Sequence, residues 1–185
     1  FGSMTIENNV VVNQGSDGNG KYSSLVANGW YDASTAGKKG KEPTHTENAK
    51  LIINGGTFSG GLNTIKNDDW GELEINGGVF KNYAQYSFMN NNIATIKGGT
   101  FTPAPGSTGV AIYNQYSSYA NGPADTDLGQ LTIVDGVFNG TINSEVPENS
   151  PGYVKISGGT FTDIANAVKY AADKATLKMG ADATA

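Results

Sequence analysis

Leu51–Phe58 (LIINGGTF), Leu73–Phe80 (LEINGGVF), Ala94–Phe101 (ATIKGGTF), Leu131–Phe138 (LTIVDGVF) and Val154–Phe161 (VKISGGTF) are five wordings of one phrase. The phenylalanines that close them lie 22, 21, 37 and 23 residues apart. A recurrence this regular marks stacked structural repeats, and it restricts the chain more than any other feature does. A unit of about 22 residues cannot bury its apolar face alone. A stack of such units buries a continuous core.

Each phrase holds a short strand. The aliphatics at Leu51 and Ile53, Leu73 and Ile75, Leu131 and Ile133, and Val154 and Ile156 fall two apart, so each pair shares one face. Ile96 stands in the same place in the third copy. Two glycines follow, or Asp-Gly in the fourth copy, and permit a sharp corner at positive φ. The phenylalanine turns back inside, while Thr57, Val79, Thr100, Val137 and Thr160 before it face outward. Looser second strands are expected at Leu62–Asn67, Ser87–Asn91, Val110–Gln115 and Gly140–Asn143. The spacing predicts an all-β fold, a parallel β-helix of about 22 residues per coil with rungs stacked at ~4.8 Å. Its core would be columns of Phe58, Phe80, Phe101, Phe138 and Phe161 and of Ile53, Ile75, Ile96, Ile133 and Ile156. A β-sandwich is the competing fold, but its hairpin strands would recur every 8–12 residues or so.

The rest of the chain is placed around these repeats. Residues 1–4 read as a cloning remnant and are kept out of the fold. Residues 5–50 form N-terminal coils, with strands at Thr5–Gln14 and Leu25–Trp30 and a loop at Ala33–Glu47. Residues 51–162 are the regular coils. The long gap is one coil plus an insertion of about 15 residues, placed within 103–128. Residues 163–185 form a C-terminal cap. Asp163–Lys174 (DIANAVKYAADK) is expected as a helix, capped by Asp163, with an apolar stripe of Ile164, Ala167, Val168, Ala171 and Ala172 that seals the last coil. Thr176–Met179 is expected to add a last strand. The first coil has nothing to cover it, so the native chain is expected to extend further.

Composition removes several functions. The formal net charge is −5 and the chain has no arginine, so a nucleic-acid partner is not expected. Lys38, Lys39 and Lys41 read as a solvated loop. With no cysteine, disulfides, thiolate metal sites and cysteine nucleophiles are excluded. No apolar run approaches the ~20 residues of a membrane span.

The phrases INGGTF, IKGGTF and ISGGTF, at about 22-residue spacing and followed by a helix after SGGTF-x-D-I, resemble the right-handed β-helix repeats of large cell-surface proteins of gut-type Gram-positive bacteria. The resemblance covers about Leu51 to Asp173. Such regions are termed adhesin-like or pectate-lyase-like. It implies an exported, surface-displayed module for adhesion, ligand binding or spacing, although fold alone does not assign an activity.

The alternative is a carbohydrate-active enzyme of the β-helix class. The lyases of that class use an arginine or lysine base, often with calcium on acidic residues. The polygalacturonase-like hydrolases share an Asp-Asp pair, a Gly-His-Gly and an Arg-Ile-Lys. Here only Asp68-Asp69 matches; the sole histidine, His45, lies in PTHTE. Adjacent strand residues point to opposite faces, and Trp70-Gly71 makes a turn. No catalytic residue, metal or cofactor is therefore assigned. An ice-binding array is disfavoured because Val79 and Val137 break the threonine column.

Binding is placed instead on aromatics beside amides: Tyr113, Asn114, Gln115, Tyr116 and Tyr119 in YNQYSSYANG, with Asp68, Asp69 and Trp70. Trp70, Tyr83 and Tyr86 lie in the connections of earlier coils. An aromatic ring packs on the apolar face of a pyranose while amides bond its hydroxyls, and Tyr and Trp also dominate protein interfaces. A glycan or a surface protein is the expected partner, and a monomer the expected state.

Overall fold

The protein is described by a computed structural model covering residues 2–14, 23–29, 48–68, 70–103, 109–115, 129–145 and 154–181. Among these residues, seventeen strands and one short helix occur. The strands are β1 (Ser3–Ile6), β2 (Val11–Asn13), β3 (Val26–Asn28), β4 (Ala49–Ile53), β5 (Thr57–Ser59), β6 (Asn63–Asn67), β7 (Gly71–Ile75), β8 (Val79–Lys81), β9 (Tyr86–Asn90), β10 (Ile93–Ile96), β11 (Thr100–Thr102), β12 (Val110–Asn114), β13 (Gln130–Ile133), β14 (Val137–Phe138), β15 (Thr141–Ser144), β16 (Val154–Phe161) and β17 (Ala171–Met179). The helix, α1, spans Ile164–Val168.

The chain visits three columns of strands in rotation. The first is β1-β4-β7-β10-β13-β16, the second β2-β5-β8-β11-β14-β16, and the third β3-β6-β9-β12-β15. Every pairing among the described residues is parallel. β16 runs unbroken through the corner that interrupts earlier turns, so it joins the first two columns into one sheet.

Register stacks like on like. Ile6, Ile53, Ile75, Ile96, Ile133 and Ile156 are successive partners in the first column. Phe58, Phe80, Phe101, Phe138 and Phe161 are partners in the second. Their rings stack with centroids 5.1, 4.8, 5.2 and 4.9 Å apart and nearly parallel planes. Ile65, Phe88, Ile112 and Ile142 do the same in the third. All these residues are buried in one shared core.

The paired glycines divide the corner's needs between them. The second of each pair, Gly56, Gly78, Gly99, Gly136 or Gly159, has φ between 102° and 143°, a region that L side chains avoid. The first does not. In the fourth copy Asp135 stands in this place, and its carboxylate accepts the Gly136 N–H at 2.8 Å.

Three expectations are corrected. Ser3 and Met4 belong to β1, with Ser3 opposite Lys50 and Met4 opposite Leu51, so the first residues join the ladder. Residues 103–128 are not one insertion, because the strand expected at Val110–Gln115 is present inside that range as β12, a rung between β9 and β15. Finally, the C-terminal helix stops at Val168, and Ala171–Met179 forms β17 against β16. An apolar stripe alone does not hold a short helix together. The open edge of β16 needs partners for its backbone groups, and β17 supplies them. A register irregularity between Ile156 and Gly158 is taken up where Lys174 adopts φ 62°. The capping role is thus shared: α1 meets the end of the third column, where Asn166 Oδ1 accepts the Ile142 N–H at 2.8 Å, and β17 covers the other two. Asp163 caps α1 by accepting the Asn166 N–H at 2.9 Å.

Candidate functional site

The third column carries the site. Its strands share the pattern aliphatic or aromatic, any residue, asparagine: Val26-Ala27-Asn28, Ile65-Lys66-Asn67, Phe88-Met89-Asn90 and Ile112-Tyr113-Asn114. The asparagines turn inward and form a ladder. Asn28 Nδ2 donates to Asn67 Oδ1 at 2.9 Å, Asn67 to Asn90 at 2.9 Å, Asn90 to Asn114 at 2.8 Å, and Asn114 to Ser144 Oγ at 3.2 Å. The same amides reach backbone oxygens where the next strand of the first column begins: Asn28 to Ala49 and Glu72, Asn67 to Gly71 and Ile93, and Asn90 to Asn92 and Gln130. The ladder thus ties each asparagine to backbone carbonyls at the start of first-column strands, and its buried amides are paired.

Alternation then turns Lys66, Met89, Tyr113 and Asn143 outward in register. One residue beyond the ladder comes a polar row, Asp68, Asn91, Gln115 and Glu145. Its backbone N–H groups donate in turn to the oxygens of Asn28, Asn67, Asn90 and Asn114. The row faces the same way as the outward one, since Lys66 Nζ lies 2.8 Å from Asp68 Oδ2 and Tyr113 Oη donates to Glu145 Oε1.

Asp68 is 6% exposed. Besides the Lys66 ammonium it accepts from Asn91 Nδ2 at 3.1 Å. Asn91 is fully buried, and its Oδ1 has no hydrogen-bond partner; Gln115 Oε1 is in the same state. After Asp68 the chain turns sharply, with the Gly71 N–H donating to Asp68 O at 3.0 Å. Trp70 in this turn has φ 61°, a strained choice for a bulky side chain.

Tyr86 and Tyr113 stack with centroids 4.5 Å apart and planes 5° from parallel. One face of each ring is therefore covered by the other. Partial burial, with the Glu145 carboxylate second, holds both phenols above their ordinary value of 10.0.

The sequence-predicted residues separate into three groups. Asp68, Gln115 and Tyr113 share this outward face, with Trp70 in the adjoining turn. Asn114 is fully buried in the ladder, and its amide serves the backbone. Asp69, Tyr116 and Tyr119 lie outside the described residues, as do His45, Lys38, Lys39 and Lys41. The reading missed the ladder, although the recurring asparagine two places after a large apolar residue announces it. It also missed Lys66, Asn91 and Glu145, whose roles depend on register.

Chemically, the face offers carboxylates, amides, phenols and one indole. Among the described residues no group of three or more His, Asp or Glu side chains is placed to hold a metal ion, and no helix is long and apolar enough to cross a membrane. No family model, curated protein or solved structure matches the chain.

Proposed function

We propose that the chain is a right-handed parallel β-helix from an exported bacterial surface protein, serving as a non-enzymatic module that displays a ligand-binding face. The three columns visited in rotation, with like residues in register, support the β-helix. Parallel crossovers are right-handed in nearly all known cases, which supports the hand. The single observation that carries the binding role is the outward polar and aromatic face of the third column. The rungs beneath it are locked by a buried amide ladder, so its side chains are held in place before a ligand arrives. Surface display and a glycan or protein ligand fit an acidic chain with aromatics beside amides.

The test is a screen of plant, mucosal and bacterial glycans and of surface proteins. Saturable binding that weakens with Tyr113→Ala or Tyr116→Ala supports the module. New reducing ends or unsaturated uronates would replace it with a carbohydrate-active enzyme. Absence of any binding would leave a spacer.

A further inference from the structure

We infer that Lys66 and Asn91 join in an intramolecular isopeptide bond, with Asp68 as the acid–base that moves the proton. This goes beyond the binding-module reading and does not depend on it. A lysine, a carboxylate and a carboxamide supply a nucleophile, a proton carrier and an acyl donor. Here one carboxylate holds the other two groups. Lys66 Nζ lies 2.8 Å from Asp68 Oδ2, and Asn91 Nδ2 donates to Asp68 Oδ1 at 3.1 Å. Register explains the meeting. Lys66 is level with Met89 and Asn67 with Asn90, and the Asn91 N–H donates to Asn67 O. Lys66 and Asn91 are therefore diagonal neighbours on adjacent rungs, a separation that a four-carbon stem can span.

Burial sets this trio apart. The side chains of Lys66 and Asp68 are 15% and 8% exposed, and Asn91 is fully buried. Little water is at hand to hold the two charges, and passing the proton from Lys66 to Asp68 removes both. The neutral amine then attacks Asn91 Cγ. Asn91 Oδ1 has no hydrogen-bond partner. A half-turn of the amide brings that oxygen to Asp68, whose acid O–H polarises the carbonyl as the amine adds. The Nζ–Cγ bond forms, the Cγ–Nδ2 bond breaks, and Asp68 relays the proton to the departing nitrogen. In sum, the Lys66 ammonium and the Asn91 amide become one secondary amide and an ammonium ion. Nothing is oxidised or reduced, and no co-reactant is needed. The product straps β6 to β9. Glu74 gathers Lys97 and Asn76 in the same way, but Lys97 and Glu74 are 47% and 37% exposed. Water solvates those charges, so that trio is expected to stay unlinked and serves as an internal control.

The experiment measures the intact mass of the full chain, followed by tandem mass spectrometry of a proteolytic digest. The wild type is expected to weigh about 17 Da less than its sequence, the mass of one ammonia, and to yield a branched peptide joining Lys66 to Asn91. Lys66→Arg, Asp68→Asn and Asn91→Ala are each expected to keep their full sequence mass, with circular dichroism recording that they fold. The wild-type mass decides the link whether or not a variant folds. Full mass in the wild type after prolonged incubation at neutral pH leaves an ion pair only and overturns the bond. A loss that maps to Asn54-Gly55 or Asn76-Gly77 is a cyclic imide formed at Asn-Gly, and it overturns the bond as well. A branched peptide that persists in folded Asp68→Asn overturns the role given to Asp68. A branch between Lys97 and Asn76 in place of the one at Lys66 overturns selection by burial.

Discussion

Phe101 is held on both ring faces, by Phe80 at 4.8 Å and Phe138 at 5.2 Å. Phe101→Ala should therefore cost about 3–5 kcal/mol, because the stack above and below cannot collapse into the gap. Denaturant unfolding measures this. Asn90 is the polar counterpart. It accepts from Asn67 and donates onward to Asn114 and to two backbone oxygens. Asn90→Ala would leave several buried groups unpaired, and a loss of at least ~2 kcal/mol is expected in the same assay. The tyrosines give a pH signature. Tyr86 and Tyr113 hold their protons more tightly folded than unfolded, chiefly through burial. Their contribution is complete below the ordinary pKa of 10.0 and is lost as pH rises through the folded values. Stability should fall above about pH 10, with two phenols ionising late in an absorbance titration.

At the scale of elements, the corner after each first-column strand was legible as Gly-Gly, but the division of labour was not. Only the second glycine sits at positive φ, and a Cβ on Gly78 would meet Phe80 Cζ at 3.0 Å and Gly56 O at 3.2 Å. Gly78→Ala should destabilise by about 1–3 kcal/mol, whereas Asp135→Gly should change stability by less than about 1 kcal/mol. Comparing their thermal midpoints tests the distinction. The C-terminal segment misled the reading. Its stripe suited a helix from Asp163 to Lys174, but a nine-residue strand beside β16 pairs more backbone than a short helix would. Local periodicity does not know that a sheet edge is waiting next to it. β12, by contrast, falls where the strand at Val110–Gln115 was expected, and its neighbours β9 and β15 fix it as a rung.

For the molecule as a whole, order should decline toward the ends of the stack. Among the described residues, β7, β10 and β13 have partners on both sides, while β1, β2 and β3 have one. Hydrogen exchange should be slowest for amides of the central rungs and faster for β1–β3 and β17, with peptide-resolved mass spectrometry as the measurement. Uniform protection along the chain would contradict an assembly in which each turn depends on its neighbours. The outer surface of the first column fits a solvated wall, with Lys50–Glu72 at 3.6 Å and Lys97–Glu74 at 2.8 Å; surface pairs of this kind add little stability. The polar corner of the third column differs because its groups are buried, and buried polar groups are informative when one lacks a partner.

The repeated phrase by itself determined that strands would recur, which side chains would face inward, and that phenylalanine would lie on phenylalanine. These follow from alternation and fixed spacing, which are properties of the chain written in one dimension. The tertiary structure alone decided that Asp68 would meet Lys66 and Asn91, and that Asn114 would face the backbone and not a ligand. Those outcomes depend on which residues of different turns come level. Register is set by the summed packing of all three columns, a quantity that no single stretch of sequence contains.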